Sequence, residues 1–342
     1  MTEELKEAIN YSSLPNGEVD CFLCSHRCHI KDSKRGFCMV RENRGGKLYS
    51  LVYGKAIASH LDPIEKKPLF HFLPGSLSYS IATVGCNFRC SFCQNWEISQ
   101  RARQGDIEGE ALSPEEIVRK ARAHRCRSIS YTYTEPVIFF EYAYETARLA
   151  KKEGLYNNFV TNGFATPETI DLMAGVIDAA NVDLKSFSED FYKKICRARL
   201  QPVLEAIRYM HEKGIWVEVT TLVVPGQNDS AEELSEIAGF IASVSVDIPW
   251  HVSRFYPHYE MQSRPATPIE KIDLAIEKGR EAGLRYVYGG NVAGGDYENT
   301  ACPFCQQVVI QRLGYSIEKI NLKKDSTGTR CGSCSKKLPI IL

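Results

Sequence analysis

Along the middle of the chain, short runs of apolar and β-branched residues alternate with stretches whose apolar positions recur at helical spacing. The runs fall at 79–84, 128–133, 156–161, 179–184, 215–224, 250–255 and 284–288. Most place three or more apolar residues together, as strands covered on both faces do. Ser113-Pro114-Glu115-Glu116 combines an N-cap serine, a first-turn proline and a third-position glutamate, the signature of a capping box. A helix over Val137–Glu153 stops at Gly154, and further helices fit 188–196, 202–213 with Gly214 as its stop, 230–243 and 268–282. The opening stretch Met1–Asn10 reads as polar and helical.

Repeated strand–helix units imply a parallel sheet with right-handed crossovers. About 210 residues is short for a closed eight-stranded barrel, which typically takes ~250. The expected fold is α/β, a partial (β/α)6 TIM-like barrel with one more strand at its edge; a doubly wound sheet is the alternative. In both, functional groups collect beyond the carboxyl ends of the strands. That rule singles out Cys86 to Trp96, Thr134-Glu135-Pro136, Thr161-Asn162-Gly163 and Asp183 to Lys185. Pro225 to Asp229, Phe255 to Tyr259 and Gly289-Gly290-Asn291 complete the ring. Residues 1–60 form a Cys-rich extension, 61–295 the barrel and 296–342 a zinc-ribbon-like module.

Composition narrows the class. Hydrophobic residues make up 44% and charged residues 25% of 342, the balance of a globular enzyme-sized chain. Lys plus Arg equals Asp plus Glu at 42 each, so bulk charge gives no attraction to nucleic acid or a membrane surface. The one local basic cluster, Arg122, Arg125 and Arg127 near His124, reads as a solvated face. The start has no secretory h-region, and no apolar run approaches the ~20 residues of a membrane helix. A cytoplasmic setting follows, in which clusters among the 13 cysteines read as metal or redox sites rather than disulfides.

The cysteines fall into three groups. Cys86-Asn-Phe-Arg-Cys90-Ser-Phe-Cys93 is a C-x3-C-x2-C run directly after an apolar strand. Three thiolates at this spacing hold three irons of a [4Fe–4S] cluster and leave the fourth open, and an open position marks a catalytic metal. Cys302, Cys305, Cys331 and Cys334 form two C-x2-C knuckles around a long insert. Zinc is the expected ion, with iron or no metal the alternatives, because a tail of roughly 40 residues has too little core to fold alone. Cys21, Cys24, Cys28 and Cys38 match no standard spacing, and His26 and His29 lie among them. Zinc, an auxiliary Fe–S cluster and redox thiols all stay open there. Cys126 and Cys196 remain as simple buried thiols. The glycine-rich Gly289–Gly295 loop has no helical pattern after it and reads as a turn at the pocket rim.

With these residues in place, the chain resembles the radical S-adenosylmethionine (SAM) superfamily, through C-x3-C-x-aromatic-C at the end of a first barrel strand. The words Thr161-Asn162-Gly163, Asp183-Leu184-Lys185 and Val223-Val224-Pro225-Gly226 are similar to those of activating enzymes of glycyl-radical enzymes such as pyruvate formate-lyase. Asp62 to Leu69, Cys93-Gln94-Asn95-Trp96 and Tyr131 to Pro136 resemble the AmmeMemoRadiSam-system radical SAM enzymes, over almost the whole chain. The resemblance implies that Cys86, Cys90 and Cys93 ligate the cluster and that its open iron takes the amino and carboxylate groups of SAM. It implies that Phe92 packs on the cluster or the adenine and that Glu135 receives the SAM amino group. Lys185 would meet the carboxylate or ribose, Asp183 would anchor Lys185 or a monovalent cation, and Thr161 and Asn162 would line the pocket. It further implies a reductant such as flavodoxin or ferredoxin and either a protein substrate or Memo-like and AMMECR1-like partner proteins.

Two departures bear on the substrate. Val160 stands where the activating enzymes have an Asp, and Thr220 lies near the place of an Arg. Arg312-Leu313-Gly314-Tyr315 only superficially echoes a glycyl-radical loop. The expected activity is reductive cleavage of SAM to a 5′-deoxyadenosyl radical that abstracts hydrogen, activase-like on a protein or alternatively on a small molecule or peptide. Tyr131, Tyr133, Asn95, Arg254 and His258 are candidates for the pocket wall. A zinc-scaffold binding module is the alternative of another class; neutral charge and the absence of a basic–aromatic stripe stand against it.

Overall fold

A computed structural model describes residues 5–292 and 294–342. Its central sheet has eight strands: β1 Ala58–Pro63, β2 Leu77–Ala82, β3 Ser128–Tyr131, β4 Tyr156–Thr161, β5 Ala179–Asp183, β6 Trp216–Val223, β7 Trp250–Arg254 and β8 Val287–Gly290. They lie side by side in chain order, β2 through β8 all parallel. The edge strands β1 and β8 are not paired with one another, so the barrel is partial. Six inner strands and a seventh at the edge match the expectation. Antiparallel β1 was not expected, because Ala58-Ser-His-Leu-Asp-Pro63 has no apolar run and only its pairing with β2 makes it a strand. It also straddles the expected boundary between residues 60 and 61.

The helices α1 Pro114–Ala123, α2 Phe140–Lys152, α3 Pro167–Met173, α4 Gln201–Glu212, α5 Ala231–Val244 and α6 Ile269–Glu281 connect the strands. The capping box at Ser113 is present: its hydroxyl accepts from Glu116 N at 3.2 Å and the Glu116 carboxylate accepts from Ser113 N at 2.9 Å. Helix α3 was missed, although Thr166 caps it by accepting from Thr169 N at 3.3 Å. The expected helix 188–196 is instead a short turn Glu189–Phe191 followed by a wide turn Tyr192–Cys196 that ends with Arg197 at φ 58°. That widening frees Ile195 and Cys196 carbonyls to accept from Ser91 N at 3.1 Å and Arg89 N at 2.9 Å.

The helical reading of Met1–Asn10 is overturned where it is described; residues 1–4 lie outside the described ones. Lys6–Glu7 is a strand paired with Tyr49–Ser50. Its backbone is claimed by tertiary partners, Ala8 N by Leu48 O at 2.8 Å and Ile9 N by the Glu141 carboxylate at 2.8 Å. The 122–127 basic cluster is solvated, with Arg122 paired to Glu153 at the surface.

The segment between β1 and β2 packs against the barrel core. Glu218, fully buried, accepts from Phe70 N at 3.0 Å and His71 N at 2.9 Å and pairs with His251 Nε2 at 2.7 Å. The C-terminal module docks on the same segment: Ile341 N donates to His71 O at 2.8 Å, Leu73 N donates to Ile341 O at 2.7 Å, and Arg312 donates to Phe70 O at 2.7 Å. Arg312 also faces Glu65 at 3.6 Å, both side chains fully buried. Arg312→Met leaves that carboxylate unpaired, so a loss of about 3–5 kcal/mol is expected. It would register as a lower melting temperature and faster proteolysis of residues 296–342.

Candidate active site

The loop after β2 carries Cys86, Cys90 and Cys93, and all three thiols are free. They line one cavity of about 410 Å³ with Phe92, Glu135, Thr161, Asn162, Asp183 and Lys185. Every expected cofactor-contact residue is therefore brought to one wall or another of the same cavity, at the carboxyl ends of neighbouring strands. The loop is fixed from outside itself. Asn162 Nδ2 donates to Asn87 Oδ1 at 2.7 Å, Gln100 Nε2 donates to Phe88 O at 3.3 Å, and the 195–196 carbonyls hold its far side. Phe88 N points to Cys86 Sγ at 3.3 Å, and Ser99 Oγ lies 3.2 Å from Cys93 Sγ. Such donors stabilise thiolates.

Glu135 is buried at the end of β3. Its carboxylate accepts from Val137 N at 3.0 Å, Thr161 Oγ1 at 2.7 Å and Asn162 N at 2.7 Å. Burial pushes its pKa up to about 7, against the pull of these three donors. A cationic amine entering the cavity would complete its charge balance. Burial alone would lower Lys185, but Asp183, 2.7 Å away, and the nearby Cys90 hold its ammonium well above its ordinary pKa. Its Nζ lies 5.7 Å from the centre of the Phe92 ring, which packs on Phe191. An ammonium on one wall and a buried carboxylate on another match the two charged ends of an amino acid.

Tyr133 and Asn95 line the cavity, but Arg254 and His258 are not among its lining residues. Tyr131 is fully buried in the core, its hydroxyl donating to Asn157 at 3.1 Å. Asn291 supports the reading of the Gly289–Gly295 loop as a rim; Ala293 lies outside the described residues. Sequence reading missed Lys67, buried and paired to Asp62 at 2.7 Å. Tyr133 donates to the same Asp62, and Lys67 Nζ sits 4.5 Å from the Tyr133 ring centre. Burial pushes Lys67 down to about 8 in spite of Asp62. The repeated charges in Asp62-Pro-Ile-Glu-Lys-Lys were the available signal, because three charged residues beside a strand are costly unless paired. Tyr315, from the hairpin of the tail, also reaches the cavity wall. Cys196 is buried as expected, but its thiol contacts Cys90.

The tail cysteines form a second centre. Their sulfur atoms all lie within 4.8 Å of one another, with Cys302 to Cys334 at 3.7 Å and Cys305 to Cys331 at 3.8 Å. Four thiolates at ~2.3 Å from one tetrahedral ion stand roughly 3.8 Å apart. Both knuckles have the same turn, with Gln306 N on Cys302 O at 2.9 Å and Ser335 N on Cys331 O at 3.0 Å.

A partial parallel barrel with a three-thiol loop at the end of its first parallel strand defines a class of metalloenzyme. A family model described as the radical SAM superfamily matches residues 80–241. A Methanocaldococcus jannaschii protein of uncharacterised function is 44% identical, covering 99% of this chain and 100% of its own. The pyruvate formate-lyase-activating enzyme of Listeria monocytogenes is 23% identical over 60% of this chain and 86% of its own. The fold is shared with Streptococcus suis SuiB in its S-adenosylmethionine-bound crystal structure, with a TM-score of 0.50 at 13% identity over 69% of this chain and 53% of that one. The chain belongs to the radical SAM superfamily, is related to the activating enzymes of glycyl-radical enzymes, and is an enzyme. Membership implies a [4Fe–4S] cluster and SAM, and the donor set fits both: three soft thiols in one loop, and opposite charges placed for an amino acid. No helix among the described residues is long and apolar enough to cross a membrane.

Gly163 holds φ +70°, and a Cβ there would lie 2.7 Å from Val182 Cγ1. Gly163→Ala is expected to cost about 1–3 kcal/mol from strain and overpacking. A thermal melt checks it, and an unchanged melting temperature would contradict the geometry. In the tail, Cys331→Ser removes one ligand of the four-thiol centre. Faster proteolysis of residues 296–342 with an intact barrel is the expected result.

Proposed function

We propose that Cys86, Cys90 and Cys93 hold the cluster and that Glu135, Thr161, Asn162, Asp183, Lys185 and Phe92 hold SAM for radical chemistry on a partner-derived substrate. The observation that carries this reading is that a three-thiol loop, a buried carboxylate and a partly buried ammonium share one cavity. When bound, a reduced cluster with an open iron supplies cleavage of the SAM sulfonium carbon–sulfur bond, giving methionine and a 5′-deoxyadenosyl radical that abstracts hydrogen.

The chain's own groups bind, orient and exclude. Glu135, already fixed by three donors, takes the amino group of the methionine moiety without reorganising. Lys185, held by Asp183, takes the carboxylate or a ribose oxygen. Phe92 gives an apolar surface beside them. Asn162 keeps the Cys86 loop in register with that pocket through Asn87. Lys67, Asp62 and Tyr133 form a polar wall available to the substrate rather than to the cofactor.

The relation to activating enzymes supports a protein or peptide as hydrogen donor. Val160 and Thr220, at the positions that depart from those enzymes, support a target other than a glycyl-radical loop. Radical modification of a small molecule or peptide together with Memo-like and AMMECR1-like proteins is the second form of this reading. A flavodoxin or ferredoxin is the fitting one-electron donor, the setting is cytoplasmic, and zinc is the fitting ion for the tail cysteines, whose spacing matches a tetrahedral thiolate site.

The test is anaerobic reduction of the reconstituted enzyme with SAM, read as 5′-deoxyadenosine by chromatography. Cys90→Ala is expected to abolish the product. Glu135→Gln is expected to keep the iron content and weaken SAM binding by roughly tenfold or more, the loss of one charge-assisted contact. Iron-loaded wild-type protein that forms no 5′-deoxyadenosine would overturn the proposal.

A further inference from the structure

Four arginines gather on the outer side of the cluster loop. Arg89 stands between Phe88 and Cys90, and its N–H donates to Cys196 O at 2.9 Å, which brings the turn carrying exposed Arg197 against the loop. Arg103 joins from the chain just after the loop. Its guanidinium meets Gln100 Oε1 at 3.5 Å, and Gln100 Nε2 donates to Phe88 O at 3.3 Å. Burial, then repulsion by Arg103 and Arg197, lowers the Arg89 pKa, which marks the three guanidinium groups as neighbours. An aromatic row from the N-terminal extension continues the group; Cys21, Cys24, Cys28 and Cys38 of that extension line one small void. The Arg89 guanidinium lies 3.9 Å from the Phe37 ring centre, His26 stacks on Phe37 at 4.1 Å and meets Phe164 at 4.9 Å, and Arg199 lies 5.9 Å from the Phe164 ring centre.

These charges are not neutralised from within. Among the described residues, none of Arg89, Arg103, Arg197 and Arg199 is in an ion pair, and the Arg89 Nε is buried with no hydrogen-bond partner. Their cationic neighbours along the chain differ. Arg27 pairs with Glu168 at 2.9 Å, Arg101 with Glu108 at 3.1 Å, Lys193 with Glu189 at 3.5 Å and Lys194 with Asp190 at 2.7 Å. In a chain whose formal charges sum to zero, the surplus is therefore local. Arg103, Arg197 and Arg199 are exposed, and a cluster of exposed guanidinium groups attracts an acidic surface and steers its approach. Position selects the kind of partner. None of the four arginines lines the cavity that holds Glu135 and Lys185. A molecule seated on them is beside Cys90 yet outside that cavity, which suits a donor of electrons to the cluster and not a substrate.

We propose that Arg89, Arg103, Arg197 and Arg199 form the docking face for an acidic one-electron carrier protein, which reduces the cluster from the outer side of its loop. The step is a single electron transfer: the carrier is oxidised by one electron and the cluster at Cys86, Cys90 and Cys93 is reduced by one. The partner's role rests on the radical reading of the site given above; the charge surplus and the docking of an acidic protein do not. Electron-transfer encounters bury little area and are weak, so the complex is held largely by charge and loosens as salt screens it.

The test uses the full chain, reconstituted anaerobically, with flavodoxin and a plant-type ferredoxin as acidic probes. Binding is measured by surface plasmon resonance in about 20 mM and about 200 mM salt. Wild type is expected to bind at least one carrier, roughly tenfold or more weakly at the higher salt. The double variant Arg103→Glu, Arg197→Glu is expected to weaken low-salt binding by roughly tenfold or more. It should slow 5′-deoxyadenosine formation driven by the carrier and leave formation driven by dithionite unchanged. Binding of neither carrier, or an affinity that the charge reversal does not move, would overturn the proposal. Should that variant not fold, Arg103→Gln, Arg197→Gln is measured in its place, with a smaller loss expected and an unchanged affinity again overturning it. A single-stranded RNA oligomer that binds wild type and not the variant, while neither carrier binds, would assign the face to nucleic acid and overturn it as well. Failure of the radical reading would show separately, as absent 5′-deoxyadenosine with dithionite while the carrier still binds.

Discussion

The cofactor face of this enzyme depends on one buried carboxylate. Glu135 lies in the loop after β3, yet two of its three hydrogen bonds come from Thr161 and Asn162 at the end of β4. Asn162 in turn reaches Asn87 in the loop after β2. Three consecutive strand ends are thus tied to a single side chain that burial would otherwise make costly to ionise. The three donors reduce that penalty, and a cation entering the cavity would reduce it further. On the proposed reading, stability of the loop and affinity for a positively charged ligand have the same physical origin.

The opposite end of the barrel obeys a different rule. There the charged groups face partners within the protein: Glu218 meets His251 and two backbone amides, and Glu65 faces Arg312. The result is a docking floor for the C-terminal module. The Asp62–Lys67–Tyr133 group lies between these regimes: its members are paired, and Lys67 and Tyr133 line the cavity. Burial brings the Lys67 pKa down to about 8 in spite of Asp62, closer to neutral pH than an exposed lysine.

Most of the barrel was legible in the sequence because parallel strands buried on both faces leave apolar runs, and all seven runs became strands. The antiparallel edge β1 was not, since an alternating polar segment becomes a strand only through its partner. Helix α3 carried a readable Thr166-Pro167 start that was passed over. The cluster loop was legible because ligand spacing within one loop is local. The Asp62–Lys67–Tyr133 group was not, because its members lie on two segments that only the fold brings together. For the tail cysteines, spacing along the chain named the candidates, but only the fold shows their sulfur atoms at distances that suit one tetrahedral ion.

The hairpin that carries Tyr315 belongs to a module held together by four thiols, and yet its tip forms part of the cavity wall. Cys305 and Cys334 in that module are partly exposed. On the proposed reading, oxidation of thiols at the rim of the molecule would have a mechanical route to the cavity: a loosened hairpin would withdraw an aromatic panel and let water in. The fidelity of the chemistry would then be guarded by residues that take no part in it.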